Sequence, residues 1–176
     1  MLEERTGEAF EAGAQLTVVG RKLQPGEAAP DFALDYLDPD GAIQTVRLAD
    51  SAGMVRLLNV VNSLDTPVCH VETRQWERLR GDLPAGMRVY TVSMDLPFAQ
   101  ARWQALEGVT HQLLSSHRSE EFGQRYGTLI KEWRLLQRAV FVIDARDCIV
   151  HADYVPDQMR EPDYAAALAA ARQAAG

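Results

Sequence analysis

The fold is decided by the segment over residues 59–72, which reads Asn59-Val60-Val61-Asn62-Ser63-Leu64-Asp65-Thr66-Pro67-Val68-Cys69-His70-Val71-Glu72. The apolar run from Met54 to Val61 is long enough for a buried strand. A helix is then expected to begin, because Thr66 suits an N-cap and Pro67 suits the first helical position, where its missing N–H costs nothing. The segment therefore predicts a strand, a turn and a helix in succession.

Cys69 falls at the third position of this helix if Thr66 is the cap. Its sulfur would then lie beside unpaired backbone N–H groups, at the positive end of the helix dipole. An environment of this kind favours the thiolate, which is the nucleophilic form of cysteine. Two interpretations stay open at this point, a reactive nucleophile or a small buried hydrophobic side chain, which is the commoner role of a lone cysteine.

Composition favours one globular domain, since the chain has 176 residues, of which 47 % are hydrophobic and 24 % charged. A net charge of −7 argues against nucleic acid as a partner. No apolar run approaches the length of about 18 residues that a membrane span needs, and the first residues lack the order of a secretory signal. Because two cysteines do not make a disulfide framework, we expect a cytoplasmic protein.

Strands and helices alternate along the rest of the chain, after a hairpin formed by Thr6–Phe10 and Gln15–Val19. Strands are predicted over residues 32–34, 43–48, 54–61, 87–92, 112–114, 138–143 and 148–155, and helices from residue 66 and over 97–106, 120–126 and 161–171. This order indicates an α/β protein with a central mixed sheet flanked by helices, in a thioredoxin-like arrangement. We divide it into a hairpin extension (residues 1–20) and a thioredoxin-like domain (residues 21–176).

The helix that carries Cys69 has an apolar spacing that predicts its buried face. The residues at that spacing are Val68, Val71, Gln75, Trp76 and Leu79. Trp76 is expected in the core, whereas Phe98 and Trp103 could line a groove, a dimer surface or the core.

Residues 62–69 resemble the P-S-x-D-T-x-V-C motif of bacterial thiol peroxidases, a branch of the peroxiredoxins. The match continues in the same order through residues 72–74, 93–100, 122–127, 138–144 and 161–164, and residues 29–32 are similar to the peroxiredoxin entry motif. The resemblance covers nearly the whole chain. It implies an enzyme without a cofactor or metal that reduces hydrogen peroxide or organic hydroperoxides with an external thiol, such as thioredoxin or a small thiol, and that forms a homodimer.

The resemblance also assigns the catalytic roles to Thr66, Cys69 and Arg138. A thiolate that attacks a peroxide oxygen needs a fixed positive charge to stabilise the oxygen that leaves. Without the resemblance, the favoured interpretations would be that Thr66 is only a helix cap and that Arg138 is a surface charge at a strand end. Glu72 could support the arginine or be solvated.

Two positions depart from the pattern of that family. Gln104 stands where the family has the second cysteine, which resolves the sulfenic acid, and an amide cannot form a disulfide. Cys148, at the start of a predicted strand, is a poor substitute because a disulfide needs Cα atoms within about 7 Å. We therefore expect a one-cysteine cycle. Asn62 replaces a proline that shields the cysteine, which changes the donors and acceptors beside it.

Other thiol chemistries fit the sequence less well. A dithiol oxidoreductase needs C-x-x-C, and Thr66 occupies the first of those positions. A cysteine phosphatase needs C-x5-R, and Gln75 stands at the required arginine. A cysteine hydrolase needs a histidine partner, but His70 is adjacent to Cys69 and helix neighbours do not face each other. The alternative that stays open is a non-catalytic redox sensor or binding protein on the same fold.

Overall fold

The computed structural model describes residues 1–176 as eleven strands and four α-helices, with two short 3₁₀ turns. The strands are β1 (Glu4–Glu11), β2 (Ala14–Val19), β3 (Ala33–Leu37), β4 (Ile43–Arg47), β5 (Arg56–Val60), β6 (Arg88–Ser93), β7 (Gln112–Ser115), β8 (Leu129–Ile130), β9 (Leu135–Leu136), β10 (Ala139–Ile143) and β11 (Ile149–Tyr154). The helices are α1 (Pro67–Leu79), α2 (Pro97–Glu107), α3 (Glu121–Arg125) and α4 (Tyr164–Ala175). None of these helices combines the length and the apolar character that a membrane crossing requires.

A seven-stranded mixed sheet forms the centre, in the order β11-β10-β5-β6-β7-β3-β4. Strands β5, β6 and β7 run parallel, whereas β10 is antiparallel to β5. Every residue of β5 is buried, including the polar side chains of Arg56 and Asn59. The predicted mixed sheet with flanking helices is therefore confirmed, and its central strand leads directly into the Cys69 helix.

The N-terminal hairpin is present, and β2 extends it by pairing with β8, which pairs in turn with β9. The sequence did not predict β8 and β9. Each is only two residues long, so neither has room for an alternating pattern. The resulting four-stranded sheet ties the hairpin to the chain just before Arg138.

Helix α1 begins as predicted, with Thr66 as the N-cap and Pro67 at the first helical position. The prediction of its buried face was wrong, because Val71 is 48 % exposed. The residues that point inward are Cys69, Glu72, Thr73 and Trp76. Their spacing of three and four residues is that of one helix face, so the buried face of α1 contains the sulfur and a carboxylate as well as apolar groups.

Helix α4 packs its small side chains against β10 and β11, next to Trp76 of α1. Asp163 caps it by accepting a hydrogen bond from the backbone N–H of Ala166 at 3.0 Å. Ala167 and Ala171 pack in one hydrophobic cluster with Trp76, which confirms the expectation that this tryptophan belongs to the core.

Candidate active site

Cys69 lies in the first turn of α1, directly after the loop that leaves the central strand β5. Its side chain is 0 % exposed. On one side it packs in a hydrophobic cluster with Val61, Leu64 and Trp103. The sulfur is therefore shielded from bulk water, and its chemistry depends on the polar groups that reach it from the other side.

Arg138 is one of those polar groups, and it comes just before β10, beside the end of β5 where the cysteine loop starts. The guanidinium is completely buried, so the interpretation of Arg138 as a surface charge is wrong. Its Nη2 donates to the backbone carbonyl of Gln158 at 2.8 Å, and its Nη1 forms an ion pair with Glu72. The Nε atom is buried and has no partner within the protein, which leaves one charged donor free.

Charges around the guanidinium hold it in place. Burial on its own would lower the pKa of Arg138, but the acidic side chains of Glu72 and Cys69 beside it keep the pKa above its ordinary value. The guanidinium and the sulfur also border the same atom, since Asn62 Oδ1 lies 3.5 Å from Arg138 Nη2 and 3.8 Å from Cys69 Sγ. The structure thus brings together two of the predicted site residues that are far apart in sequence.

Glu72 follows Cys69 by three residues and lies on the same face of α1. It is completely buried, so a solvated role is excluded. Burial raises the pKa of Glu72 to about 8, although the charge of Arg138 acts in the opposite direction. Its Oε1 atom has no hydrogen-bond partner. One guanidinium therefore faces two acidic groups, the carboxyl of Glu72 and the thiol of Cys69.

Thr66 occupies the N-cap position, but its side chain does not cap the helix. Instead its hydroxyl donates to the backbone carbonyl of Ser63 at 2.8 Å. A hydroxyl has a single proton, so this bond leaves Thr66 with acceptor capacity only. Arg138 thus keeps a free donor, and Thr66 keeps a free acceptor.

Asn62 and Gln158 complete the polar side of the site. Asn62 Oδ1 lies 3.8 Å from Cys69 Sγ and 3.5 Å from Arg138 Nη2. Gln158 Oε1 accepts from the backbone N–H of Arg138 at 2.9 Å and from Asn62 Nδ2 at 3.1 Å. Sequence reasoning missed Gln158, because a single glutamine in the loop after β11 carries no pattern that marks it.

The two candidates for resolving a sulfenic acid lie in different places. Gln104 is on α2, where its amide donates to the backbone carbonyl of His111 at 2.9 Å. Cys148 lies just before β11, near the end of β10 that pairs with Arg56, the first residue of β5. The helix α1, which carries Cys69, follows the last residue of β5, Val60. Those ends are separated by the length of β5, about 13 Å for four residues. Cys148 and Cys69 are thus too far apart for a disulfide within one chain, and both are free thiols.

Histidine does not form part of this polar site. His70 accepts a hydrogen bond from the indole of Trp103 at 3.3 Å, and His111 is bonded to Glu77 at 2.7 Å. No group of three or more histidine, cysteine, aspartate or glutamate side chains is arranged to hold a metal ion.

Comparison with known proteins gives consistent matches over this chain. The AhpC/TSA family model matches residues 25–152. A thiol peroxidase of Halalkalibacterium halodurans is 44 % identical over 163 residues, covering 92 % of this chain and 95 % of the relative. A thiol peroxidase of Bacillus subtilis is 39 % identical over 161 residues, covering 91 % of this chain and 93 % of the relative.

Solved structures give the same grouping. A peroxiredoxin-like protein from Aquifex aeolicus superposes with a TM-score of 0.82 at 30 % identity, covering 98 % of both chains. A thiol peroxidase from Chromobacterium violaceum superposes with a TM-score of 0.83 at 21 % identity, covering 96 % of this chain and 97 % of the other. At that lower identity, the second likeness concerns the fold alone.

Proposed function

The chain belongs to the AhpC/TSA family, within the peroxiredoxins, and its activity is the reduction of peroxides by thiols; we propose that Cys69 carries out this reaction with Arg138 and Thr66. The observation that carries the proposal is the buried guanidinium of Arg138, which shares the neighbouring Asn62 oxygen with the sulfur and keeps one charged donor unpaired. A guanidinium in that position serves both the thiolate and the oxygen on which charge develops.

The first step consumes one peroxide. The thiolate of Cys69 attacks the terminal oxygen of the hydroperoxide, so a sulfur–oxygen bond forms and the oxygen–oxygen bond breaks. The sulfur gives up two electrons, and the departing alkoxide or hydroxide takes a proton from solvent. Cys69 is left as a sulfenic acid, the first product of thiol oxidation.

Arg138 and Thr66 orient the peroxide for this attack. The hydroxyl of Thr66 donates to Ser63, so it accepts the O–H of the hydroperoxide. The free N–H of Arg138 then donates to the peroxide oxygens, and this bond strengthens as negative charge appears on the leaving oxygen. Preorganised donors of this type lower the barrier because they need no rearrangement during the reaction.

The second half of the cycle uses an external thiol. Gln104 cannot act as a resolving residue, and the position of Cys148 supports no disulfide to Cys69 within one chain. A reductant thiol therefore attacks the sulfenic sulfur, forms a mixed disulfide and releases water. A second thiol displaces Cys69, so that two thiols are oxidised to one disulfide for each peroxide reduced.

A surface cavity of about 550 Å³ lies against the first turn of α1, and we propose that peroxide approaches from this side. Pro67, Val68 and Met159 are among the side chains that line it. Because Cys69 itself is fully buried, the side chains between the cavity and the sulfur must move to admit the peroxide.

Two further features of the proposal concern assembly and location. Exposed apolar side chains at Leu96, Phe98 and Leu106, in and next to α2, support a homodimer that covers this surface. Two unpaired cysteines support a reducing compartment, the cytoplasm. The physiological reductant would then be thioredoxin or a small thiol.

Stopped-flow measurement of peroxide consumption by wild type and Cys69→Ser tests the site assignment. We expect the Cys69→Ser variant to lose the reaction entirely, whereas Cys148→Ser, the matched control, reacts like wild type. Peroxide consumption retained by Cys69→Ser would refute the assignment. Steady-state turnover with a supplied thiol separates the enzyme from the redox sensor, since a sensor without its partner reacts once and stops.

A further inference from the structure

The side-chain amide of Asn62 lies between the sulfur and the buried guanidinium, and its orientation is fixed by a chain of hydrogen bonds. Gln158 Nε2 donates to the backbone carbonyls of Val155 at 2.8 Å and Pro156 at 3.0 Å. Both amide hydrogens of Gln158 are thereby used, and its Oε1 must face the opposite way. On that side, Oε1 accepts a hydrogen bond from the backbone N–H of Arg138, a group that can only donate.

This arrangement determines which end of the Asn62 amide faces the sulfur. One end of the amide contacts the carbonyl of Leu136 at 2.6 Å and Gln158 Oε1 at 3.1 Å, and both of these are acceptors. That end must therefore be the NH₂ group. The oxygen of Asn62 is left pointing at Cys69 Sγ, 3.8 Å away, and cannot exchange places with the nitrogen without losing two buried hydrogen bonds.

A fixed acceptor beside the sulfur acts differently on each state of Cys69. It accepts a hydrogen bond from the S–H of the thiol but cannot donate one to the thiolate, so it does not assist the first oxidation. The separation of 3.8 Å leaves room for one oxygen bonded to sulfur to lie within the usual O–H···O distance of Oδ1, about 2.7 Å. The sulfenic acid is the state of Cys69 whose hydroxyl could donate a hydrogen bond to Asn62 Oδ1.

We propose that Asn62 holds the Cys69 sulfenic acid in its protonated form and thereby protects it from further oxidation. This inference rests on the function proposed above. Over-oxidation occurs when the sulfenate anion attacks a second hydroperoxide, which forms a second sulfur–oxygen bond, breaks an oxygen–oxygen bond and yields a sulfinic acid and an alcohol. A hydroxyl that donates to a fixed acceptor is less readily ionised, so this second attack is slowed.

Protection of this kind matters more in this chain than in one with an internal resolving thiol. Cys148 lies too far away to capture the sulfenic acid, which must wait for a reductant from solution. The waiting time lengthens whenever peroxide is abundant and the reductant is scarce, and the sulfinic product is not recovered by ordinary thiols.

The test is the rate at which sulfinic acid forms at Cys69 under excess peroxide without reductant, followed by mass spectrometry in wild type and Asn62→Ala. We expect sulfinic acid to form about tenfold faster in the variant, corresponding to about 1.4 kcal/mol. Asn59→Ala is the matched control, because Asn59 is also a buried asparagine but bonds to Thr91 and Trp76 instead of Cys69. Its sulfinic rate should equal that of wild type.

Asn62→Leu provides a second variant, of similar size, that also removes the acceptor. It should over-oxidise as Asn62→Ala does. Normal sulfenic acid formation with an unchanged sulfinic rate in both variants would overturn the inference and leave the proposed function intact. A wild-type Cys69 that stays a thiol under peroxide would instead refute the function itself.

Discussion

Arg138 and Glu72 form an ion pair inside the protein, with side chains that are 1 % and 0 % exposed. The same guanidinium lies beside Asn62 Oδ1, which in turn lies 3.8 Å from Cys69 Sγ, so a single buried positive charge is close to two acidic side chains. The pH dependence of stability and the effects of mutation at this pair follow from that shared charge.

Glu72→Gln should change how stability depends on pH. Burial raises the pKa of Glu72 to about 8 from an ordinary value of 4.5, so the folded protein holds this proton more tightly than the unfolded chain does. The stabilisation is complete below the unfolded pKa and is lost as the pH rises through the folded pKa. The free energy of unfolding of wild type should thus fall between about pH 5 and about pH 8 relative to that of Glu72→Gln, as measured by urea denaturation.

The exposed Glu121→Gln is the control for this measurement, and its pH dependence should follow that of wild type. Parallel pH curves for wild type and Glu72→Gln would show that Glu72 does not take up its proton in this range.

Arg138→Lys should slow peroxide reduction sharply. Lysine keeps the positive charge but lacks the planar guanidinium. The guanidinium binds Glu72 through Nη1 and the Gln158 carbonyl through Nη2, and it still has a further N–H for the site. We expect kcat/KM for peroxide to fall by about 10²–10³, or about 2.7–4 kcal/mol, as for the loss of a preorganised donor. Arg74→Lys, an exposed arginine of the same helix, should leave the rate unchanged. A rate within about threefold of wild type would argue against Arg138 as the stabilising charge.

Thr66→Val should weaken peroxide reduction without unfolding the helix. The hydroxyl makes no capping bond, so its removal deletes only the acceptor and the bond to Ser63. We expect the second-order rate constant to fall by about 10-fold to 100-fold, since hydrogen bonds to reacting groups contribute about 1.5–3 kcal/mol. Thr66→Ser keeps the hydroxyl and should react nearly as fast as wild type. Equal rates for the valine and serine variants would exclude a role for the hydroxyl.

Peroxide-treated wild type should contain no disulfide between Cys69 and Cys148 within one chain, because the two residues lie near opposite ends of the sheet. Peptide mapping by mass spectrometry without reduction checks this, after treatment with one equivalent of peroxide. A mixed disulfide at Cys69 should appear when a small thiol is added. An intramolecular disulfide as the main product would contradict the one-cysteine cycle.

Local sequence signals predicted most of the fold. The strand β5 and the start of α1 were predictable because an apolar run, turn residues and a Thr-Pro pair lie next to one another in the chain. Strands β8 and β9 were not, since their pairing is determined by the hairpin more than a hundred residues away. Val71 was placed in the core because apolar spacing cannot tell which face of a helix holds a buried ion pair.

The residues of the candidate site differ in how far the sequence predicted them. Cys69 was a candidate from local helix signals, whereas the catalytic roles of Thr66 and Arg138 were reached only through the family resemblance. The depth at which Glu72 is buried became clear only from packing. Gln158 could not be found, because its function depends on carbonyls and an amide that the fold assembles from separate segments.

Trp103 packs in the same hydrophobic cluster as Cys69, and its indole meets His70 edge-on with ring centres 5.5 Å apart. Emission from an indole responds to polar atoms that appear nearby. We therefore expect the emission of Trp103 to change as Cys69 is oxidised, so that successive oxidation events at the sulfur could be followed in real time without any attached dye.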